Sequence, residues 1–283
     1  MPHKRSTMTR RQLLADAAKA GAATVHIHSR DPQDGRPTSD LEIFGRIIDM
    51  IKAESDVVVC TTTGGGFGMT AEQRVAVVPR YKPELASFNM GSLNFAIFPL
   101  ARKPIDWKFE WEKPYLEASK NNIFENRFGT MEQMCRIFRE SGTKPELEVY
   151  DVGHLYNVQY LLSEGLLDTP VYLQFVLGIL GGIGASIVDL VNLKETADRL
   201  IGPKNFIWSA FGAGRQEFPI CTAAANLGGN CRVGLEDNLW LSKGELAPSN
   251  AALVEKMVRI LREFSLEPAT PDEARSILHL RKS

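Results

Sequence analysis

The chain has 283 residues, 44% hydrophobic and 24% charged, with a formal net charge of −1 at pH 7. That is the length of one large domain, and α/β barrels reach it as single units. The balanced charge leaves no footprint for nucleic acid, and no apolar run approaches the roughly 20 residues that span a bilayer.

Residues 9–20 (TRRQLLADAAKA) carry Leu13, Leu14, Ala17 and Ala18 at helical spacing, with Gly21 as the stop. The twin arginine resembles an export signal, but Asp16 and Lys19 interrupt what should be an uncharged run, so an amphipathic helix is expected. A strand over Thr24–His28 follows, then a turn-rich loop and a helix at about 39–53 with Ser39 as its cap. "DVVVCTTT" reads as a strand buried on both faces, ending in "GGG". The alternation continues with a helix at about 70–78 and strands in "ELASFN", "ELEVYD", "PVYLQFVLG", "NFIWSAFG" and "NCRVGLED". Helices at about 130–141, 154–164, 184–200, 216–227 and 249–264 accompany them. The segment 94–128 is an insertion rich in aromatics, among them Trp107, Trp111 and Tyr115, and reads as a lid or an oligomer contact.

Seven strand–helix units imply a parallel sheet with helices outside it. Polar residues recur at nearly every strand's C-terminal end: His26 and His28, Thr61–Thr63, Ser87 and Asn89, Glu148 and Asp151, Glu236 and Asp237. In a (β/α)8 barrel these converge on one mouth, whereas an open sheet spreads them along an edge. The expectation is therefore a single (β/α)8 barrel over 1–283 whose first strand is absent from the chain as given.

Three constellations carry chemistry. Side chains at i and i+2 of a strand share a face, about 7 Å apart along it, so His26 and His28 can grip one ion. In a barrel, "RVGLEDN" ends a strand two positions from the His-x-His strand, so Glu236 supplies the third member of a His, His, carboxylate set with an open position. Asp237 and Arg232 then serve as acid–base or supporting groups. "TTTGGGFGM" (Thr61–Met69) lacks the signatures of a nucleotide loop, but its hydroxyls and glycine amides suit a carboxylate or phosphate. The competing readings are structural: a core histidine pair, a capping Asp beside a surface Glu, and a tight turn. His154 reads as a helix-start residue. Four separated cysteines (Cys60, Cys135, Cys221, Cys231) with no CxxC pair read as the reduced thiols of a cytoplasmic protein.

Taken together, "AGAATVHIHSRDPQDGRPT", "TTTGGG", "ELASFNMGSLNF", "PELEVYDVGHL", "FVLGILGG", "WSAFGAGR", "CRVGLEDN" and "PATPDEARSIL" resemble the β-keto acid cleavage enzymes, the family of 3-keto-5-aminohexanoate cleavage enzyme. The resemblance implies a (β/α)8 barrel holding one divalent metal, usually zinc, on His26, His28 and Glu236. It implies Asp237 as the base with Arg232 as its partner, and Thr62, Gly65, Ser87 and Glu148 as substrate contacts. The implied reaction is acetyl-CoA-dependent cleavage of a β-keto acid to acetoacetate and an acyl-CoA. Family members are commonly homo-oligomers, so a dimer or tetramer is expected. The family's first strand ends in an active-site acid, and this chain begins after it. A stave covered by a partner or a rearranged segment, or an impaired enzyme, is the corresponding expectation. Another metal-dependent barrel enzyme, a hydrolase or aldolase, is the alternative.

Overall fold

The computed structural model describes residues 16–281. Residues 16–19 are helical, which covers the end of the helix expected at 9–20; the rest of it lies outside the described residues. Seven parallel strands form one sheet in the order β1-β2-β3-β4-β5-β6-β7: β1 (Thr24–Ile27), β2 (Val58–Thr61), β3 (Leu85–Asn89), β4 (Lys144–Val149), β5 (Val171–Leu177), β6 (Phe206–Gly212) and β7 (Asn230–Cys231). Besides the helical residues 16–19, ten α-helices accompany them among the described residues: α1 (Leu41–Glu54), α2 (Ala71–Val75), α3 (Val77–Tyr81), α4 (Glu112–Ala118), α5 (Phe128–Ser141), α6 (Val152–Ser163), α7 (Ile187–Leu200), α8 (Glu217–Asn226), α9 (Asn250–Glu263) and α10 (Pro271–Ile277). A hairpin, β8 (Trp240–Ser242) and β9 (Glu245–Leu246), follows β7. None of the described helices is long and apolar enough to cross a membrane.

The sheet curls, because residues far apart in strand order touch. Glu146 of β4 lies 3.7 Å from both His26 of β1 and Cys60 of β2, and Glu148 of β4 meets Arg232 beyond β7 at 3.5 Å. Strand alternation then sorts two cores. Val25, Ile27, Val59, Phe88, Leu147 and Phe175 face outward and pack on helical residues such as Phe44, Ile48, Met131, Phe138 and Leu155. The inward set is apolar at one end only: Val58, Cys60, Leu85 and Tyr172, closed from below by Ala274 of α10 and Leu278. Arg275 of α10 ties that floor down, donating to Glu84 and Asp56 at 2.9 Å each. Above this layer the inward positions become polar, so the curl leaves one acidic, imidazole-bearing mouth at the strands' C-terminal ends.

Three details depart from expectation. Asp40, not Ser39, caps α1, its carboxylate accepting from the Ile43 amide at 3.0 Å. The helix expected at 70–78 is two short ones, because Pro79 has no N–H to offer the Val75 carbonyl. The strand read in "NCRVGLED" stops at Cys231, and the Glu236–Asp237 pair stands in a turn closed by Asp237 and Asn238 amides on Gly234 O, 3.0 Å each.

Candidate active site

His26 lies in β1 and His28 one residue past its end, so both imidazoles face the inside of the curl. Their Nε2 atoms stand 3.1 Å apart, and His28 Nε2 is 2.9 Å from Glu236 Oε1. One ligand atom from each of the three lies within 4.8 Å of the others. Two imidazoles and a carboxylate crowd toward one point, an arrangement of donor atoms that a cation resolves. Burial, helped by Arg232, lowers the pKa of His26 and keeps it a neutral donor. Burial works against ionising Glu236, but His28 and Arg232 outweigh it and hold that carboxyl well below its usual range. The donor set therefore fits a divalent cation.

Arg232 organises the acids. Its Nε donates to Asp237 Oδ2 at 2.9 Å and one Nη to Glu236 Oε2 at 2.9 Å, while the other reaches Glu148 Oε1 at 3.5 Å. The guanidinium also lies over the Phe211 ring, 4.7 Å from its centroid. Burial pushes Asp237 up to about 6 and Glu148 up to about 8, in both cases against the pull of Arg232. Glu148 is further held by the Tyr150 hydroxyl, which donates to Oε2 at 3.2 Å.

The turn that carries Glu236 and Asp237 rests on Glu217, a fully buried residue at the start of α8. Its two oxygens accept from the Gly234 amide at 2.9 Å and the Asn238 side-chain amide at 3.0 Å. Gly214 N donates to Asp237 O at 2.8 Å, and Asn250 Oδ1 accepts from Leu235 N at 2.8 Å. Glu217 was not apparent in the sequence, where it reads as an ordinary acidic first-turn residue. Burial raises its pKa to about 7 from an ordinary value of 4.5. Its stabilising contribution is therefore complete below about pH 4.5 and is lost as pH rises through about 7, where the folded chain must also ionise it. In Glu217→Gln that dependence should vanish, shifting the stability difference toward the variant by about 2–3 kcal/mol between pH 4.5 and 8 in urea titrations. A pH-independent difference would show that Glu217 does not titrate in the fold.

The remaining expected residues sit around the same mouth. Thr62 Oγ1 accepts from Gly64 N at 2.9 Å, and Ser87 Oγ accepts from Thr63 N at 3.3 Å. Gly65 has φ +66°, and a Cβ there would meet Arg74 at 2.8 Å, so no other residue fits that turn easily. Arg74 fixes the loop, donating to Thr63 O, Glu125 O and Asn126 Oδ1. The 94–128 segment leans on this rim: Trp111 Nε1 donates to Asp34 O at 3.1 Å, and Tyr115 stacks on Phe67 at 4.4 Å. His154 is buried in the first turn of α6, its Nδ1 accepting from Tyr150 N at 3.3 Å, and takes no part in the cluster.

A curled parallel sheet with a His, His, carboxylate group and an arginine-bound acid at its C-terminal mouth defines an α/β enzyme of the barrel-like kind. The model of the beta-keto acid cleavage enzymes matches residues 8–280, and the chain belongs to that family. It is an enzyme that cleaves β-keto acids. Among its relatives, 3,5-dioxohexanoate:acetyl-CoA acetone transferase of Paraburkholderia graminis is 44% identical over 265 residues, 94% of this chain and 85% of that one. The 3-keto-5-aminohexanoate cleavage enzyme of Fusobacterium nucleatum is 37% identical over 268 residues, 94% of this chain and 86% of that one. In fold the chain is similar to ObcA in its binary complex with oxaloacetate, with a TM-score of 0.77 and 19% identity over 96% of this chain. This chain spans 66% of the ObcA chain's length.

Proposed function

We propose that the chain transfers an acyl group between a β-keto acid and acetyl-CoA, giving acetoacetate and an acyl-CoA, with one divalent cation, zinc by preference, at His26, His28 and Glu236. The observation that carries this reading is the convergence of those three side chains beside the Arg232–Asp237 pair. Bound there, the cation would supply a Lewis acid for the substrate's keto oxygen. Asp237 is the base that takes the proton from the carbon between keto and carboxylate groups, held in place by Arg232 and by the turn on Glu217. The resulting carbanion attacks the thioester carbon of acetyl-CoA and expels the CoA thiolate. That thiolate attacks the original keto carbon, the bond to the acetoacetate carbon breaks, the acyl-CoA leaves, and the acetoacetate carbanion takes back the proton held on Asp237. Thr62 and Ser87 accept from loop amides and so keep their hydroxyl protons for the substrate carboxylate, alongside the amide-lined turn at Gly65. Glu148, with its raised pKa of about 8, is a neutral donor at pH 7.

The seven strands are read as staves of a (β/α)8 barrel whose eighth position lies between β7 and β1, where His28 and Glu236 reach each other. The chain is read as cytoplasmic, its four cysteines being free. For 94–128 the lid reading is favoured over the oligomer contact, because Trp111 and Tyr115 are occupied by loops of the same chain.

The test is a panel of neutral, cationic and anionic β-keto acids, 3,5-dioxohexanoate among them, incubated with acetyl-CoA and the zinc-loaded protein. Acetoacetate and a new acyl-CoA are expected in equal amounts from at least one acid. Aldehyde or hydrolysis products with no acyl exchange would replace this reading with an aldolase or hydrolase.

A further inference from the structure

Glu146 has no place in the chemistry above, yet it is one of the most unusual residues in the molecule. It is a carboxyl group 4% exposed, in the interior of the curl, one inward layer below Glu148 on β4. Its Oε1 faces two groups. One is the Cys60 thiol at 3.7 Å; the other is Nδ1 of His26, also at 3.7 Å. That Nδ1 is buried and has no hydrogen-bond partner. On the other side of the same ring, Nε2 faces His28 and Glu236. A neutral imidazole carries one proton, and whichever nitrogen holds it cannot bind a cation. A carboxylate behind the ring draws the proton to Nδ1 and leaves the Nε2 lone pair for the ligand, as second partners of metal-bound histidines commonly do.

We propose that Glu146 is the positioning residue for His26: its carboxylate takes the Nδ1–H, which fixes the ring's tautomer and aims Nε2 at the point shared with His28 and Glu236. The inference rests on the reading of that point as a cation site. A different use of the same atoms is a second ion held by His26 Nδ1, Cys60 and Glu146, which also lie within 4.8 Å of one another. Serving both sites would strip His26 of both ring protons, and burial pushes the Cys60 thiol well above its usual pKa, away from the thiolate a metal needs.

Nitrogen-15 NMR of the histidine side chains in the metal-free chain reads the tautomer directly, and zinc affinity is read by competition with a chelator. His26 should be the Nδ1–H tautomer in the natural chain and in Glu146→Gln, whose amide oxygen still accepts. In Glu146→Leu the tautomer preference should be lost and zinc affinity should fall by about 10–100-fold, while the Gln variant stays close to the natural chain. His28→Ala should weaken zinc without moving the His26 tautomer. An Nε2–H tautomer in the natural chain overturns the proposal, and so does equal zinc affinity in Glu146→Leu. A second zinc equivalent that disappears in Cys60→Ser overturns it in favour of the second ion. Should the Leu variant not fold, the natural chain and the Gln variant decide through the tautomer. Failure of the natural chain to take up zinc refutes the cation site alone, and the tautomer still decides the role of Glu146.

Discussion

A His26→Ala/His28→Ala double variant is expected to purify as a folded protein without bound divalent metal, with turnover reduced by at least about 10³-fold, since the proposed imidazole ligands and the Lewis acid they would hold are gone. The fold should survive. His28 is partly exposed past the end of β1, and His26 pairs with β2 through its backbone, which alanine keeps. The cost to stability is the void under His26 and the loss of one ring contact, about 1–3 kcal/mol. Metal content by elemental analysis after dialysis, set beside a circular-dichroism melt, separates the two effects. Equal zinc in the variant and the natural chain would place the cation elsewhere and remove the basis for assigning Glu236 as its third ligand.

The histidine pair was the most legible part of the site, because a period of two inside an apolar strand has few innocent readings. The same period marks Glu146 and Glu148, with Leu147 and Val149 turned to the outer core between them. The signal that singled out Glu148 thus applied equally to Glu146, which was passed over because its partner, the far nitrogen of His26, lies 120 positions away in the chain. Seven parallel strands were countable from β-branched runs between amphipathic helices. What was not countable is how far each strand runs: "RVGLEDN" looks like a strand end, but the chain turns there, the Asp237 and Asn238 amides closing on Gly234 O, and Glu236 reaches His28 from a loop. Glu217 left no trace because burial at a helix start depends on what packs above it. The floor helix α10 and the β8–β9 hairpin were missed because periods need length to register, and these elements have seven, three and two residues. Barrel geometry already made Glu236 the expected third member of the set, and the family resemblance implied the same residue.

The largest single-residue effect should come from Arg232. Burial works against its charge, but four carboxyl groups (Asp237, Glu236, Glu148 and Glu146) outweigh it and raise its pKa, and three of them touch it. Arg232→Met keeps the length and the apolar contact with Phe211 but leaves the buried Asp237 without its counter-charge. Breaking such a buried cluster from one side typically costs about 3–5 kcal/mol, because the remaining acids keep their desolvation penalty. A fall of that size in the urea-derived unfolding free energy is expected, with turnover lost by about 10²-fold or more even where the variant is folded, since Asp237 is no longer aimed. The variant also tests whether the arginine and the cation share the same acids. Glu236 presents one oxygen to Arg232 and the other to His28, so removing the guanidinium leaves a more basic ligand and a more negative mouth. At pH 8, added zinc should therefore raise the melting temperature of Arg232→Met by more than that of the natural chain, because tighter binding to the folded state gives a larger linkage term. An equal or smaller shift would mean that Arg232 and the cation act on separate charges, and that Glu236 answers to only one of them.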